Sequence, residues 1–185
     1  MKTETTFIND LIILTPTIFE DDRGYFCETY SEKSFLNAGI NIKFVQDNHS
    51  LSFKTGTLRG LHFQNEPMAQ TKLVRCTRGE ILDVAVDLRE NSPTYKKWFS
   101  IVLSEENKKQ LLVPKGFAHG FITLKDNTEV QYKVDNFYSK EHDRAVRYND
   151  PELAVDWSTD KPVLSEKDAN APSLKDADVN FEVIE

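Results

Sequence analysis

The chain has 185 residues, 39% of them apolar and 29% charged, with a formal net charge of −7. This length suits a single domain that buries its own core, and the acidic balance, with no basic block in it, excludes a general nucleic-acid binder. An anionic ligand would therefore need a local cluster of arginine and lysine.

Met1–Thr6 has no apolar core after a basic start, so no signal peptide is expected. Phe7 to Phe19 reads as strand, and its run Leu11-Ile12-Ile13-Leu14 is far too short for a membrane span. Glu20-Asp21-Asp22-Arg23-Gly24 is a turn before a second strand, Tyr25 to Tyr30. Ser31 can cap a short helix, and Phe44-Val45 leads into a polar segment, 46–50. From Thr57 onward alternating runs recur at 57–64, 71–77, 80–88, 97–103, 110–113, 117–124 and 128–134, separated by turn chemistry such as Arg78-Gly79 and Asn91-Ser92-Pro93. So many short strands predict a mainly β, antiparallel jelly-roll barrel with a few short helices. Beyond Tyr138 the chain turns irregular, apart from a helix start at Leu164-Ser165-Glu166-Lys167-Asp168 with Ser165 as its N-cap. One domain over 1–185 is expected, with its core at about 7–168 and a peripheral segment at 169–185, whose acidic last dozen residues are expected to be mobile. Cys27 and Cys76 lack metal-ligand spacing and read as reduced packing residues of a cytoplasmic protein, although such a pair can in principle bridge.

Two stretches carry the chemistry. In Leu58-Arg59-Gly60-Leu61-His62-Phe63-Gln64, strict alternation puts His62 with Leu58, Gly60 and Gln64, and Arg59 on the opposite face with Leu61 and Phe63. Partial desolvation of a histidine on such a strand favours the neutral, proton-accepting ring, and a buried structural histidine is the plain alternative. The second stretch, Pro114-x-Gly116-x-x-His119, resembles the second signature of the cupin jelly-roll family. Metal-binding cupins also carry two histidines one residue apart in their first signature, where this chain has His62-Phe63-Gln64. With glutamine at the second position, a site for a transition metal lacks a ligand. A metal-dependent cupin isomerase or oxygenase is thus a rival reading, and no metal is expected.

Five motifs in register narrow this further: 44–50 (Phe-Val-Gln-Asp-Asn-His-Ser), 58–64, Lys72-Leu73-Val74-Arg75, 116–121 (Gly-Phe-Ala-His-Gly-Phe) and 164–168. Together they resemble the dTDP-4-dehydrorhamnose 3,5-epimerase family, over about Phe7 to Asp168. The resemblance implies epimerisation of dTDP-4-dehydro-6-deoxy-D-glucose at C3 and C5, carbons acidified by the C4 ketone, with no cofactor. It implies His62 as the base paired with Asp168, Tyr132 as the proton donor and Lys72 beside the developing oxyanion. Asp168 could instead be only the carboxylate of its own capping box, with Asp83 then in reserve to orient His62. Arg23 and Arg59 match diphosphate-binding positions, although Arg59 reaches the face of His62 only if a bulge at Gly60 re-aims it or if it serves a site across a subunit boundary. Glu28, Gln46, Asn48, His119, Asp143 and Lys167 match positions lining the nucleotide or sugar site, and Asp143 departs from the glutamate of the family pattern. Phe19, Phe26 and Tyr138 are candidates to stack on thymine. The resemblance further implies a homodimer. A C3-only epimerase and a catalytically silent sugar-nucleotide binding module remain as alternatives.

Overall fold

Alternating apolar residues in short runs leave the chain one economical solution, two sheets burying their inner faces against each other. The computed structural model describes residues 1–8 and 10–183. In chain order the strands are β1 (Lys2–Thr5), β2 (Ile12–Thr15), β3 (Ile18–Asp21) and β4 (Gly24–Cys27), then helix α1 (Glu32–Asn37). There follow β5 (Gln46–Ser52), β6 (Leu58–Gln64), β7 (Lys72–Arg78), β8 (Glu80–Asp87) and β9 (Trp98–Ser104). The last elements are β10 (Gln110–Val113), β11 (Phe117–Thr123), β12 (Thr128–Val134), β13 (Asp143–Ala145), helix α2 (Glu166–Ala169) and a 3-10 turn at Leu174–Asp176.

One sheet runs β1-β2-β10-β7-β12-β5 and the other β13-β6-β11-β8-β9, while β3 and β4 form a separate hairpin. Neighbouring strands are antiparallel throughout both sheets. This is the cupin-like jelly roll that the sequence predicts. Between the sheets lies a core of Val74, Leu111 and Val130 from the first and Ile81, Ala85, Phe117 and Phe121 from the second. Turn chemistry sits where expected: Gly79, between β7 and β8, has φ +77°, and Ser31 caps α1 by accepting from the Ser34 N–H.

Several boundaries differ from the sequence reading. The strand expected over Phe7 to Phe19 breaks at Pro16-Thr17 into β2 and β3, because proline cannot donate to a ladder. The expected strand Tyr25 to Tyr30 ends at Cys27, and β1 and β13 are strands that polar composition concealed. The polar segment 46–50 is itself strand: β5 pairs with β12 along its length, with Gln46, Asn48, Ser50 and Ser52 on the less exposed face. Its alternation is of polar with polar, which hydrophobic periodicity does not register.

The largest difference concerns the tail. The outer face of the second sheet presents Leu58, Leu61, Phe63, Val84, Val86, Ala118 and Ile122, and these are covered by Leu153, Trp157, Leu174 and Phe181. Phe181 packs edge-on against Phe63 with ring centroids 5.6 Å apart. The backbone of Glu90 donates to the Phe181 carbonyl and accepts from Val183 N–H. Residues 169–183, expected to be peripheral, thus supply two core side chains. Among the described residues no helix is long and apolar enough to cross a membrane. Removing the Phe181 ring leaves a cavity against Phe63, so Phe181→Ala should lower unfolding stability by about 3–5 kcal/mol. Urea denaturation checks this, and a change within measurement error would show that the tail adds nothing to the core.

Candidate active site

At one end of the barrel the two sheets part around a cavity of about 360 Å³. Strand β6 supplies Arg59 and His62 to it, although a regular strand would turn residues three apart to opposite faces. His62 pairs with His119 of β11, whereas Arg59 pairs with Phe121, so three steps on β6 match two on β11. This is the bulge that Arg59 requires. It lies at Gly60, where φ is +135° and an added Cβ would come within 2.6 Å of the Gly120 Cα. Both Arg59 and His62 therefore face inward, and Leu58, Leu61 and Phe63 face the outer core. The strict alternation read from sequence, which grouped Leu58 with His62, fails at this one residue. Arg59 is held by Ser52 Oγ and the Leu51 carbonyl, each at 3.1 Å from its guanidinium.

His62 donates from Nε2 to Asp168 Oδ1 at 2.5 Å, which leaves Nδ1 as the ring's free nitrogen. Asp168 Oδ2 accepts from Ser165 Oγ at 2.9 Å, and Ser165 Oγ accepts from Asp168 N–H at 3.1 Å. The capping role and the histidine-orienting role, set against each other in the sequence, coexist because each uses a different oxygen. Burial raises the Asp168 carboxyl, but bonds from His62 and Ser165 outweigh it and hold the group below its ordinary range. The Thr57–Val163 bridge anchors the segment that leads into α2.

The opposite wall belongs to the first sheet. Lys72 on β7 and Tyr132 on β12 both face the cavity, and Lys72 Nζ lies 3.3 Å from the His62 carbonyl oxygen. Burial pushes the Lys72 ammonium down to about 8, against the opposing pull of Asp83 and Asp143. Burial likewise pushes the Tyr132 phenol up, so it keeps its proton at neutral pH. His119 also lines the cavity, and its Nε2 lies 2.8 Å from Asp83 Oδ1. Asp83, held in reserve for His62, thus belongs to His119 instead, since β8 sits beside β11 and not β6.

The remaining candidates divide into two groups. Asp143, Lys167 and Tyr138 form one cluster: Asp143 Oδ2 accepts from Lys167 Nζ at 2.6 Å and from the Tyr138 hydroxyl at 3.3 Å. Gln46 joins it, accepting from Tyr138 N–H and donating to Asn48, which pairs with Tyr132 across the ladder. The second group stands apart. Arg23, Phe19 and Phe26 line a separate surface hollow on the β3–β4 hairpin, where the two phenylalanines are 61% and 68% exposed. Among the described residues Arg23 is engaged only by Asp21 two residues away, and Glu28 accepts from Ser34 Oγ. Gln64, at the position of the missing histidine, spends its amide on the Met68 and Phe137 carbonyls and accepts from Ser139 N–H. Sequence reasoning missed Ser50, Thr57 and Phe121 in the cavity lining and Ser52 behind Arg59; small hydroxyl residues carry no distinguishing signal, and Phe121 reads as core.

A carboxyl held below its ordinary range stabilises the fold above its unfolded pKa of about 3.9 and ceases to do so as pH falls through the lower folded value. Asp168→Asn should therefore cost about 1.5–3 kcal/mol at pH 7, with the gap to the wild type closing below about pH 4. Denaturation curves at pH 7, 5 and 3 read this directly. A gap of equal size at all three would assign the loss to packing.

Against this geometry stand the comparisons with known proteins. A family model described as dTDP-4-dehydrorhamnose 3,5-epimerase matches residues 5–176. A relative of that name from Shigella flexneri is 50% identical over 179 residues, covering 96% of this chain and 98% of its own. The crystal structure of a dTDP-4-dehydrorhamnose 3,5-epimerase from Bacillus anthracis, with TDP and PPi bound, superposes with a TM-score of 0.92 at 52% identity, over 94% of this chain and 99% of that one. A Legionella pneumophila epimerase in complex with dTDP-4-keto-L-rhamnose superposes at 0.91 with 44% identity, over 96% and 94% of the two chains. The chain belongs to the dTDP-4-dehydrorhamnose 3,5-epimerase family.

Proposed function

We propose that the protein epimerises dTDP-4-dehydro-6-deoxy-D-glucose at C3 and C5 to give dTDP-4-dehydro-L-rhamnose. The observation that carries this reading is the placement of His62 and Tyr132 on opposite walls of one cavity. Inversion at a carbon next to a ketone needs a proton removed from one face and another delivered to the other. His62 Nδ1 takes the proton from the substrate C–H bond, and the electron pair moves onto the C4 oxygen. Lys72 stabilises that enolate oxygen as charge develops. The pair then returns to carbon, which takes its new proton from the Tyr132 hydroxyl on the far face. Exchange with solvent resets both residues before the second carbon reacts. Asp168 keeps the His62 proton on Nε2 and stabilises the imidazolium. The acidity supplied by the ketone leaves no step that calls for a redox cofactor or a metal.

Arg59, Lys167, Asp143, His119, Gln46, Asn48 and Tyr138 fit the binding of sugar and nucleotide, with Arg59 on the diphosphate and Tyr138 stacking on thymine. Arg23, Glu28, Phe19 and Phe26 fit the same ligand only from outside, because their hairpin stands away from its own cavity. We therefore place them at the cavity of a second copy, in a homodimer. Exposed phenylalanines on a hairpin that joins neither sheet support that assignment. Free Cys27 and Cys76 support a reducing, cytoplasmic setting.

Two experiments test these proposals. Proton NMR of the keto-sugar in deuterated buffer should show deuterium entering at both C3 and C5. His62→Ala should abolish it while substrate affinity changes by only a few-fold, and Tyr132→Phe should allow abstraction but impair delivery of the new proton. Deuterium at C3 alone would make the protein a C3 epimerase, and its absence from both carbons would leave a binding module. Light scattering should give twice the chain mass of 21.3 kDa; a monomeric mass with full activity would return the hairpin residues to their own chain.

A further inference from the structure

Asp83 is fully buried on β8, between Ile81 and Ala85 on the inner face and paired across to Phe121. One of its oxygens, Oδ1, bonds His119; the other, Oδ2, has no hydrogen-bond partner among the described residues. A half-satisfied buried carboxylate is a poor way to build a core, and an apolar residue would pack there at lower cost. Its presence therefore points to the cationic and polar groups at the cavity end of the barrel.

Lys72 and His119 line the same cavity, and the carboxylates whose charge favours the Lys72 ammonium are Asp83 on β8, bonded to His119, and Asp143 on β13. Lys167 on α2 opposes them with positive charge. Of the carboxylates around the cavity, Asp168 divides its oxygens between His62 and Ser165, and Asp143 receives Lys167 and Tyr138 on Oδ2. Among the three, Asp83 is the one with a buried oxygen that has no partner among the described residues.

We propose that Asp83 is a positioning residue for the epimerisation: it fixes the His119 proton on Nε2, and its charge keeps Lys72 an ammonium where the enolate forms. The inference rests on the epimerase reading of the cavity. His62–Asp168 and His119–Asp83 are then two histidine–carboxylate couples on adjacent strands with different tasks. The first orients a base. The second presents a fixed ring to a substrate oxygen and supplies the negative charge that lets a lysine survive desolvation. Together with Lys72, the buried Asp83 also keeps the polar end of the barrel close to neutral.

Asp83→Asn tests this, because it keeps the shape and an acceptor for His119 while removing the charge. The wild-type rate should decline above about pH 8 as Lys72 loses its proton. In the variant that alkaline limb should move to lower pH, and kcat should fall by about 10-fold or more with KM little changed. Its Tm should be no lower than that of the wild type, since a costly buried charge has gone. Wild-type kcat, or a lost kcat with an unmoved limb and a fallen Tm, would overturn the proposal. Should the variant not fold, long-range proton–nitrogen NMR of the wild-type protein decides: His119 protonated on Nε2 at neutral pH is expected, and a neutral ring protonated on Nδ1 overturns it. That spectrum needs no substrate, so it stands whether or not the deuterium exchange of the wild type supports the epimerase reading.

Discussion

Everything at the mouth of the barrel depends on how closely β6 and β11 approach at Gly60 and Gly120. A Cβ on Gly60 would come within 2.6 Å of the Gly120 Cα, and one on Gly120 within 2.9 Å of the Arg59 carbonyl. No side chain fits between the strands at that point, and the left-handed φ of Gly60 would strain any other residue. The contact allows one extra residue on β6, and that residue sets which side chains enter the cavity. Without it, His62 would still face inward but Arg59 would turn into the outer core, where a guanidinium has no partner. Backbone geometry at a glycine thus selects the cationic side chain, and the apolar residues Leu58 and Leu61 are aligned outward by the same step.

The second constraint is electrostatic. Asp83, Asp168 and His119 are buried and Lys72 half-buried around the cavity of an apolar barrel, where each uncompensated charge is expensive. The structure meets this by pairing: Asp168 with His62, Asp143 with Lys167, Asp83 with His119. A cluster held this way is close to neutral when empty, yet it retains a phenol that keeps its proton and an ammonium that burial has brought down to about 8 without discharging it at neutral pH. Those are the properties required beside an enolate, whose charge exists only in the course of the reaction. Asp87, the last residue of β8 and outside the cavity lining, shows the contrast. It accepts from Arg89, Ser92 and Thr94, so both of its oxygens are satisfied, and the network serves the fold.

How far the sequence discloses this differs by feature. Strands β10 to β12 are legible almost to the residue because turn residues such as Pro114-Lys115-Gly116 and Lys125-Asp126-Asn127 bound short apolar or alternating runs. Strand β5 is not, since both of its faces are polar, and β13 is too short to carry a period. The cavity residues on inward-facing strands, His62, Lys72, His119 and Tyr132, emerge from motif and parity together. The partners of the two histidines do not: spacing cannot tell that β8 lies beside β11, and so cannot assign Asp83 to His119 rather than to His62. The hairpin residues Arg23 and Glu28 were named from resemblance alone, and in the single chain they lie apart from the cavity. That separation is invisible in sequence because the β3–β4 hairpin joins neither sheet, and spacing does not tell where it stands.

Asp168 shows why a local signal and a distant one need not compete. Ser165 and Asp168 make a helix cap by themselves, with a hydroxyl that accepts from the backbone and donates to the carboxylate. That exchange fixes the carboxylate's rotation and aims its remaining oxygen across the cavity. Orienting an imidazole 106 residues away then adds little further ordering cost, because the cap has already immobilised the side chain. The same bond ties a helix of four residues to the sheet, a length that could not hold its shape alone. His62 depends on the cap for its partner, and the helix depends on His62 for its place on the barrel. Loss of either side of this bond therefore disturbs both the orientation of the imidazole and the seating of the helix.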